Sequence, residues 1–525
     1  MKRRDLLKTV GFAALALGAG VPVLRGRQAI AADGTSIFTL AYPAGFPDLD
    51  PATSFSNDGA VLANTYETLT RYIPARDGAE AKVEPLLAES WQASPDGLTW
   101  TFRLRPGVKF HDGADLTAQA VKASIERTKK IGGGASFIWA PVETIETPDT
   151  ATVIMRLKTA QPMDITAAAG FAAWIYSPAS IDKDNAWFNA GNSAGTGPYR
   201  IESYEPGQRA ILTRNDSYWG GWSEGAFDKV VFEIIEDVVL AQSKLESGEA
   251  DWTFGIPYDN LESLKEHPEL SVVSNPSFET LVGMYNTRRA PLDNAKVRQA
   301  LSIAFPYDDV ISAGTAGLGA RARGVIPPGI WGHDAEAPIP ATDLDKARAL
   351  LAEAGIAEGG LELTLTYATG DALEALAGEL WKANLEQLGI TLTLQPMAWE
   401  AQWQLAKADP AAGQDIFLMY WWPTFVTPYD YLFNLFHSET APNFNLGYYA
   451  NPEFDKLIDE ANTLSATDRH AAEVSFKRAQ RILIDEAAAV FVVDKPNVHI
   501  IRADIKNYAD NPAYGHVTFV HELSR

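Results

Sequence analysis

The chain has 525 residues, a formal charge of -23 and no cysteine. Its length exceeds one ordinary domain and predicts two or three. The missing thiols exclude disulfides, thiolate metal sites and a lipid-bearing cysteine after a leader, and so acidic a chain does not bind nucleic acid or anionic membrane surface non-specifically.

The first 31 residues have the zones of an export signal. Arg3-Arg4-Asp5-Leu6-Leu7-Lys8 precedes the apolar run Val10 to Ala19, and Ala29-Ile30-Ala31 has the small-residue pattern of a cleavage site. The apolar run is shorter than the roughly 20 residues a spanning helix needs. The paired arginines predict the twin-arginine route and a periplasmic location. This leader holds Lys2, Arg3, Arg4, Lys8, Arg25 and Arg27 against Asp5 alone, so the mature chain is still more acidic than the whole. No later segment is apolar enough to cross a membrane.

Beyond the leader, Trp100, Phe102 and Leu104 alternate with Thr101, Arg103 and Arg105, the pattern of a half-buried strand. Turns follow at Pro106-Gly107 and Asp112-Gly113. Thr117 is placed to cap a helix with Val121 and Ile125 on one face. Strands are expected over Thr152 to Leu157, Ala210 to Thr213 and Val230 to Ile235, and Asp237 then caps a helix ending near Gly248. In the second half, Asp293 and Asp343 are expected to cap helices, the latter ended by Gly355. Leu361 to Tyr367 alternates as a strand, and Leu373 to Leu388 is an amphipathic helix before a strand at Ile390 to Leu394. Asp415 to Trp421 is a short apolar run of buried-strand type. Helices follow over Pro452 to Asn462 and Thr467 to Glu486. Two last strands, Val490 to Asp494 and Val498 to Arg502, are expected to return to the first half. Two lobes result, with crossings near Leu281 to Asn286 and Ala489 to Asp494.

Three features invite catalytic readings and fail them. Gly195-Thr196-Gly197-Pro198-Tyr199 has no following lysine and opens no helix, so it is a tight turn into a strand rather than a phosphate loop. Gly191-Asn192-Ser193-Ala194-Gly195 fits G-x-S-x-G, but a polar loop precedes it and a strand follows, the reverse of a nucleophile elbow. The eight histidines are scattered, with no i, i+4 metal pair on a helix. No cofactor and no enzymatic activity are expected.

Spaced blocks, in order, resemble the extracytoplasmic solute-binding proteins of family 5, the dipeptide, oligopeptide and nickel receptors of ABC transporters. They are Pro85-Leu86-Leu87-Ala88-Glu89-Ser90-Trp91, Asp96-Gly97-Leu98-Thr99-Trp100-Thr101-Phe102-Arg103-Leu104-Arg105 and Gly107-Val108-Lys109-Phe110-His111-Asp112-Gly113. Then come Gly195 to Tyr199, Asn215 with Tyr218-Trp219, Val297-Arg298-Gln299-Ala300-Leu301 and Asn451-Pro452-Glu453-Phe454-Asp455. The resemblance implies an α/β fold of the large type II periplasmic binding proteins: two lobes of mixed β-sheets flanked by helices, an extra subdomain, and a ligand cleft between the lobes. The implied division is lobe I over 32–284 and 490–525, with the subdomain at about 70–192, and lobe II over 285–489. It also implies a monomer that closes on a small solute and presents it to a permease and its ATPase, without inserting in the membrane.

Peptide-binding relatives anchor the ligand's amino terminus with an aspartate in the loop that here runs from Trp421 to Asp430. This chain has Phe425 or a neighbour at that place and no carboxylate before Asp430. Nickel-binding relatives use a tryptophan matched by Trp139, an arginine in the stretch matched by Gly170 to Tyr176, and a histidine with His437 as its counterpart; the matching stretch has no arginine. The expected pocket is therefore aromatic and weakly charged. It takes Trp139, Trp174, Trp421, Trp422, Phe425 and Tyr429, with Asp430 and His437 at its edge and Phe46 and Phe55 from the first strand-and-turn region. Such surfaces suit planar or apolar groups, cations and sugars. A small peptide-like or modified organic solute is the primary expectation. A nickel or metal-chelate receptor of the same fold is the alternative, and a folded enzyme exported by the twin-arginine route is a remote one.

Overall fold

The computed structural model describes residues 34–76, 81–339, 341–357, 359–440 and 443–525. The expected leader lies outside the described residues.

Eleven strands form one continuous ladder. At one end, Ile37–Tyr42 runs parallel to Lys229–Ile234 and to Trp252–Phe254. Lys229–Ile234 continues antiparallel to Arg209–Arg214, which pairs with Tyr199–Glu205. At the other end, Leu361–Ala368 lies parallel to Ile390–Met397 and to Ile416–Trp421. Two long antiparallel strands, Leu270–Tyr285 and Ala489–Arg502, join the two ends. The outer part of Ala489–Arg502 pairs with Trp252–Phe254 and its inner part with Ala320–Arg321, while the inner part of Leu270–Tyr285 pairs with Ile416–Trp421. The register shifts between Pro276 and Thr280, where Pro276 faces Pro496. Neither proline supplies a ladder donor, so pairing loosens where the two ends of the sheet meet.

A separate antiparallel sheet carries Ala88–Ala93, Thr99–Leu104, Thr152–Leu157 and Val142–Glu146 in that spatial order. Beside it lies the hairpin Thr70–Ile73 with Lys82–Pro85. The helix Ala118–Ile131 packs on this sheet, capped by Thr117, whose side chain accepts from the Ala120 N–H.

Local signals located most elements, and the exceptions have local causes. Asp237 and Asp343 cap their helices as expected. The helix Ala295–Ile303 is capped by Asn294 rather than Asp293; the Asn294 side chain accepts from the Lys296 N–H at 3.0 Å. The two expected last strands are one strand, because residues 496 and 497 stay paired with Pro276 and Asn275.

Tyr285, Leu301, Trp381 and Val492 belong to one core between the second sheet end and its helices. Phe38, Tyr42, Phe46 and Trp252 form the first end's core. The largest cluster runs without interruption from Trp100, Trp139 and Trp174 to Phe278, Trp421 and Phe476. Residues from both halves of the chain thus bury against one another. Arg469 also reaches Asp164, with one guanidinium nitrogen 2.6 Å from each carboxylate oxygen, and the Tyr72 ring meets Phe278 edge-on at 6.2 Å. These contacts describe a closed two-lobed molecule.

Candidate functional site

The crossing strands hold a row of side chains on one face. Trp421 pairs with Thr280, and Thr280 pairs with Asp494; cross-strand partners point to the same side of a sheet. A second register shift, between Leu281 and Val282, makes Val282 face Phe491 and Leu281 face Val493. The extra residue on the partner strand turns Asp494 to the face of Phe491. That face belongs to the cluster shared by both lobes. Asp494 and Thr280 are buried, and among the described residues neither Asp494 Oδ1 nor Thr280 Oγ1 has a partner in hydrogen-bonding geometry. Burial pushes the Asp494 carboxyl up to about 7, only partly opposed by the Thr280 hydroxyl.

Asp430 organises the loop after Trp421. Its carboxyl accepts from Trp421 Nε1 at 3.1 Å, the Thr424 N–H at 3.2 Å and Asn434 Nδ2 at 3.2 Å. Burial raises its pKa to about 8, against the pull of these donors. It ties the loop to the helix Pro428–Phe436, itself capped by Thr427.

Of the other sequence-selected residues, Trp139, Trp174 and Phe425 join Trp421 in the shared cluster, with Phe55 packed at its margin. Trp139 Nε1 donates to the Ala172 carbonyl at 2.8 Å, while the buried Trp174 Nε1 has no partner among the described residues. Trp422 is 47% exposed. Phe46 lies instead in the first-end core, with its ring against Tyr42 and Phe232. The rings of Tyr429 and His437 both pack at a tilt against Phe433, at the i and i+4 spacing of a helix face. Both reach Asp459: Tyr429 OH donates at 3.0 Å, and His437 Nε2 lies 3.4 Å from Oδ2. His437 Nδ1 lies 3.0 Å from the Ser438 carbonyl. Both ring nitrogens thus face acceptors, which suits an imidazolium rather than a metal ligand; the Asp459 contact leads in raising its pKa.

Several residues were not singled out from the sequence. Glu67 is buried and accepts from Thr196 Oγ1 (2.7 Å), Trp219 Nε1 (2.8 Å) and Tyr218 OH (2.9 Å). The Gly-Thr-Gly-Pro-Tyr and Tyr-Trp blocks therefore converge on one carboxyl. A Cβ on Gly195 would stand 2.0 Å from the Thr65 carbonyl oxygen, so close backbone approach explains that glycine. Beside Glu67 is a cavity of about 40 Å³, lined by Tyr66, Arg71, Trp174, Tyr218 and His521 among others. About 10–15 Å³ of such space holds one water, so the cavity has room for a few waters. On the sheet face opposite Trp421, the Lys495 ammonium lies over the Tyr420 ring and 3.3 Å from Glu279, and Tyr420 OH donates to Asp371. Only topology gathers these groups. Asp494 did carry a signal, as a lone carboxylate ending the apolar run Ala487 to Val493.

One contact was unforeseen. Ser193 Oγ, in the stretch that lacks the context of a nucleophile elbow, lies 3.3 Å from His111 Nδ1. His111 Nε2 is 3.0 Å from the Gly197 carbonyl, so it carries the proton, and burial lowers the ring's pKa to about 4. The same Ser193 oxygen accepts the Ile201 N–H. The pair fastens the loop to its strand.

The family model for bacterial extracellular solute-binding proteins, family 5, matches residues 82–443. A probable D,D-dipeptide-binding periplasmic protein of Escherichia coli (strain K12) is 31% identical over 520 residues, covering 98% of each chain. Among solved structures, a periplasmic binding protein of Helicobacter pylori in complex with the peptide STSA superposes with a TM-score of 0.80 at 23% identity, covering 93% of this chain and 98% of that one. A Campylobacter jejuni protein in complex with Ni(L-His) superposes with a TM-score of 0.79 at 22% identity, covering 93% and 99%. One fold thus serves unlike ligands, and the site rather than the fold must decide the solute. The matched length, the two-lobed fold and the shared buried face agree: the chain belongs to the bacterial extracellular solute-binding proteins of family 5 and is a solute-binding receptor of an ABC importer.

Proposed function

We propose that this receptor captures a small organic solute, peptide-like or modified, between its lobes in the periplasm and delivers it to a permease and its ATPase, leaving it chemically unaltered. The carrying observation is the buried face of Trp421, Thr280 and Asp494 inside a cluster that both lobes build. A cleft closed on both sides buries most of a small ligand, and contacts made only in the closed state drive closure. The name of the 31% identical relative favours the peptide class. The loop Trp421 to Phe425 contributes aromatic surface, with Trp139 and Trp174 from the other lobe. Between Trp421 and Tyr429 it holds no carboxylate. The engaged nitrogens of His437, and a stretch 170–176 without arginine, give no support to a metal-chelate ligand.

In this reading lobe I comprises 32–284 and 490–525, with a subdomain at 70–192, and lobe II comprises 285–489. The register shift between Pro276 and Thr280 favours a hinge a few residues before the first boundary. The mature protein acts as a monomer, and residues 1–31 direct export by the twin-arginine route. Native mass spectrometry of freshly purified protein tests the ligand class: a retained peptide-like mass supports it, and a retained nickel complex or turnover of the trapped compound overturns it. Changing Arg3 and Arg4 to lysine should strand the precursor in the cytoplasm; unimpaired export would remove the twin-arginine assignment.

A further inference from the structure

We infer that Asp494, with Thr280, is the anchor for a primary ammonium group on the solute. The inference rests on the proposed peptide-class reading and adds to it the group that is recognised and the residues that recognise it.

Asp494 sits where the two long strands cross between the lobes, opposite Thr280 and in one row with Trp421. Its side chain is almost wholly enclosed, yet among the described residues neither Oδ1 nor the Thr280 hydroxyl beside it has a partner in hydrogen-bonding geometry, although that hydroxyl is near enough to hold the carboxyl's pKa down in part. An orphaned buried polar group costs about 1–3 kcal/mol, and more when charged. Two side by side in a well-packed cluster call for an external partner. Among the described residues no cation is free to serve. Lys495, the adjacent cation, is engaged across the sheet with Glu279 and the Tyr420 ring. Tyr431, packed nearby, spends its hydroxyl on the Phe278 carbonyl. Tyr72, which reaches Phe278 from the other lobe, has a buried hydroxyl without a partner among the described residues.

An ionised carboxylate only accepts, so a partner that holds Asp494 in its charged form must donate. An ammonium has three N–H donors, enough for Asp494, Thr280 and one further acceptor. Its charge also compensates a buried carboxylate, which a neutral hydroxyl or amide does not. Trp421 lies next in the row, and an indole face attracts a cation. The usual objection, that an amine needs a counter-ion in the loop after Trp421, is met by a carboxylate from a different element.

Isothermal titration calorimetry with alanyl-alanine, as both the L,L and the D,D isomer, and with the N-acetylated forms tests this. The wild-type protein should bind a free-amine form at least ten-fold more tightly than its acetylated counterpart. Asp494→Asn should lose at least ten-fold for the free amine and change little for the acetylated form, and Thr280→Val should lose less. The acetylation comparison needs no variant, so it stands even if Asp494→Asn folds poorly. Equal binding of free and acetylated dipeptide, or full affinity in a folded Asp494→Asn, overturns the anchor and leaves the peptide reading intact. Failure of the wild-type protein to bind any of these dipeptides overturns both.

Discussion

Removing the Arg469 guanidinium should loosen the closed state measurably. Arg469 begins the helix Arg469–Asp485, and Asp164 lies on the other lobe, 305 residues away. The Asp164 side chain is 9% exposed and that of Arg469 is 41% exposed. A fully exposed pair would contribute roughly 0.2–1 kcal/mol, whereas breaking a buried one costs about 3–5 kcal/mol. Solvent reaches the arginine, so the buried figure must be heavily discounted, and about 1 kcal/mol is the appropriate scale. The pair exists only when the lobes meet, so this energy belongs to closure. About 1 kcal/mol corresponds to a roughly five-fold change in the closed-to-open ratio. Arg469→Ala should therefore weaken solute binding by up to about five-fold. It should also expand the solute-free protein in small-angle scattering, with little effect on the melting of either lobe. Half of the pair is in water, so the affinity difference should shrink between about 0.01 and 1 M salt. Exchanging the charges, with Asp164→Arg and Arg469→Asp together, should recover part of the loss. Unchanged affinity and scattering at low salt would refute the reasoning, as would a loss that salt does not diminish.

Trp422→Ala should weaken solute binding by about ten-fold, or 1.4 kcal/mol, without lowering the melting temperature, because Trp422 is half exposed; unchanged affinity in calorimetry removes it from the site. Gly195→Ala should cost at least about 1–3 kcal/mol in chemical denaturation, since the added carbon meets the Thr65 carbonyl oxygen at 2.0 Å; wild-type stability would disprove the close approach. Burial raises the carboxyls of Glu67, Asp430 and Asp494 to about 7, 8 and 7, whereas unfolded carboxyls titrate near pH ~4. Such groups contribute stability that is complete below the unfolded value and is lost as pH rises through the folded one. Buried His111, His516 and His521, lowered to about 4, 3 and 4, act oppositely, but only below the unfolded histidine value of about 6.5. The melting temperature should therefore fall between about pH 6.5 and 8, and fall less in Asp430→Asn; a rise across that interval would contradict the assignment.

Local order was legible from the chain alone. Alternation marked the strand Thr99–Leu104, and Thr117, Asp237 and Asp343 marked helix starts, because a strand's faces and a cap's hydrogen bond involve only near neighbours. The ordered blocks led to the two-lobed family fold. The spacing of Tyr429, Phe433 and His437 also puts them on one helix face, but only packing carries that face to Asp459. Phe46 looked like pocket and is core, since an aromatic side chain serves either purpose and its neighbours Tyr42 and Phe232 decide. Glu67 gathers Thr196, Tyr218 and Trp219 from more than a hundred residues away. Asp494 depends on the shift between Leu281 and Val282. Period-two alternation from Phe491 would put it on the other face, and one extra residue in the ladder reverses that. Composition and periodicity set what each segment becomes; which side chains share a buried face depends on strand register and lobe closure, and those are properties of contacts between distant segments.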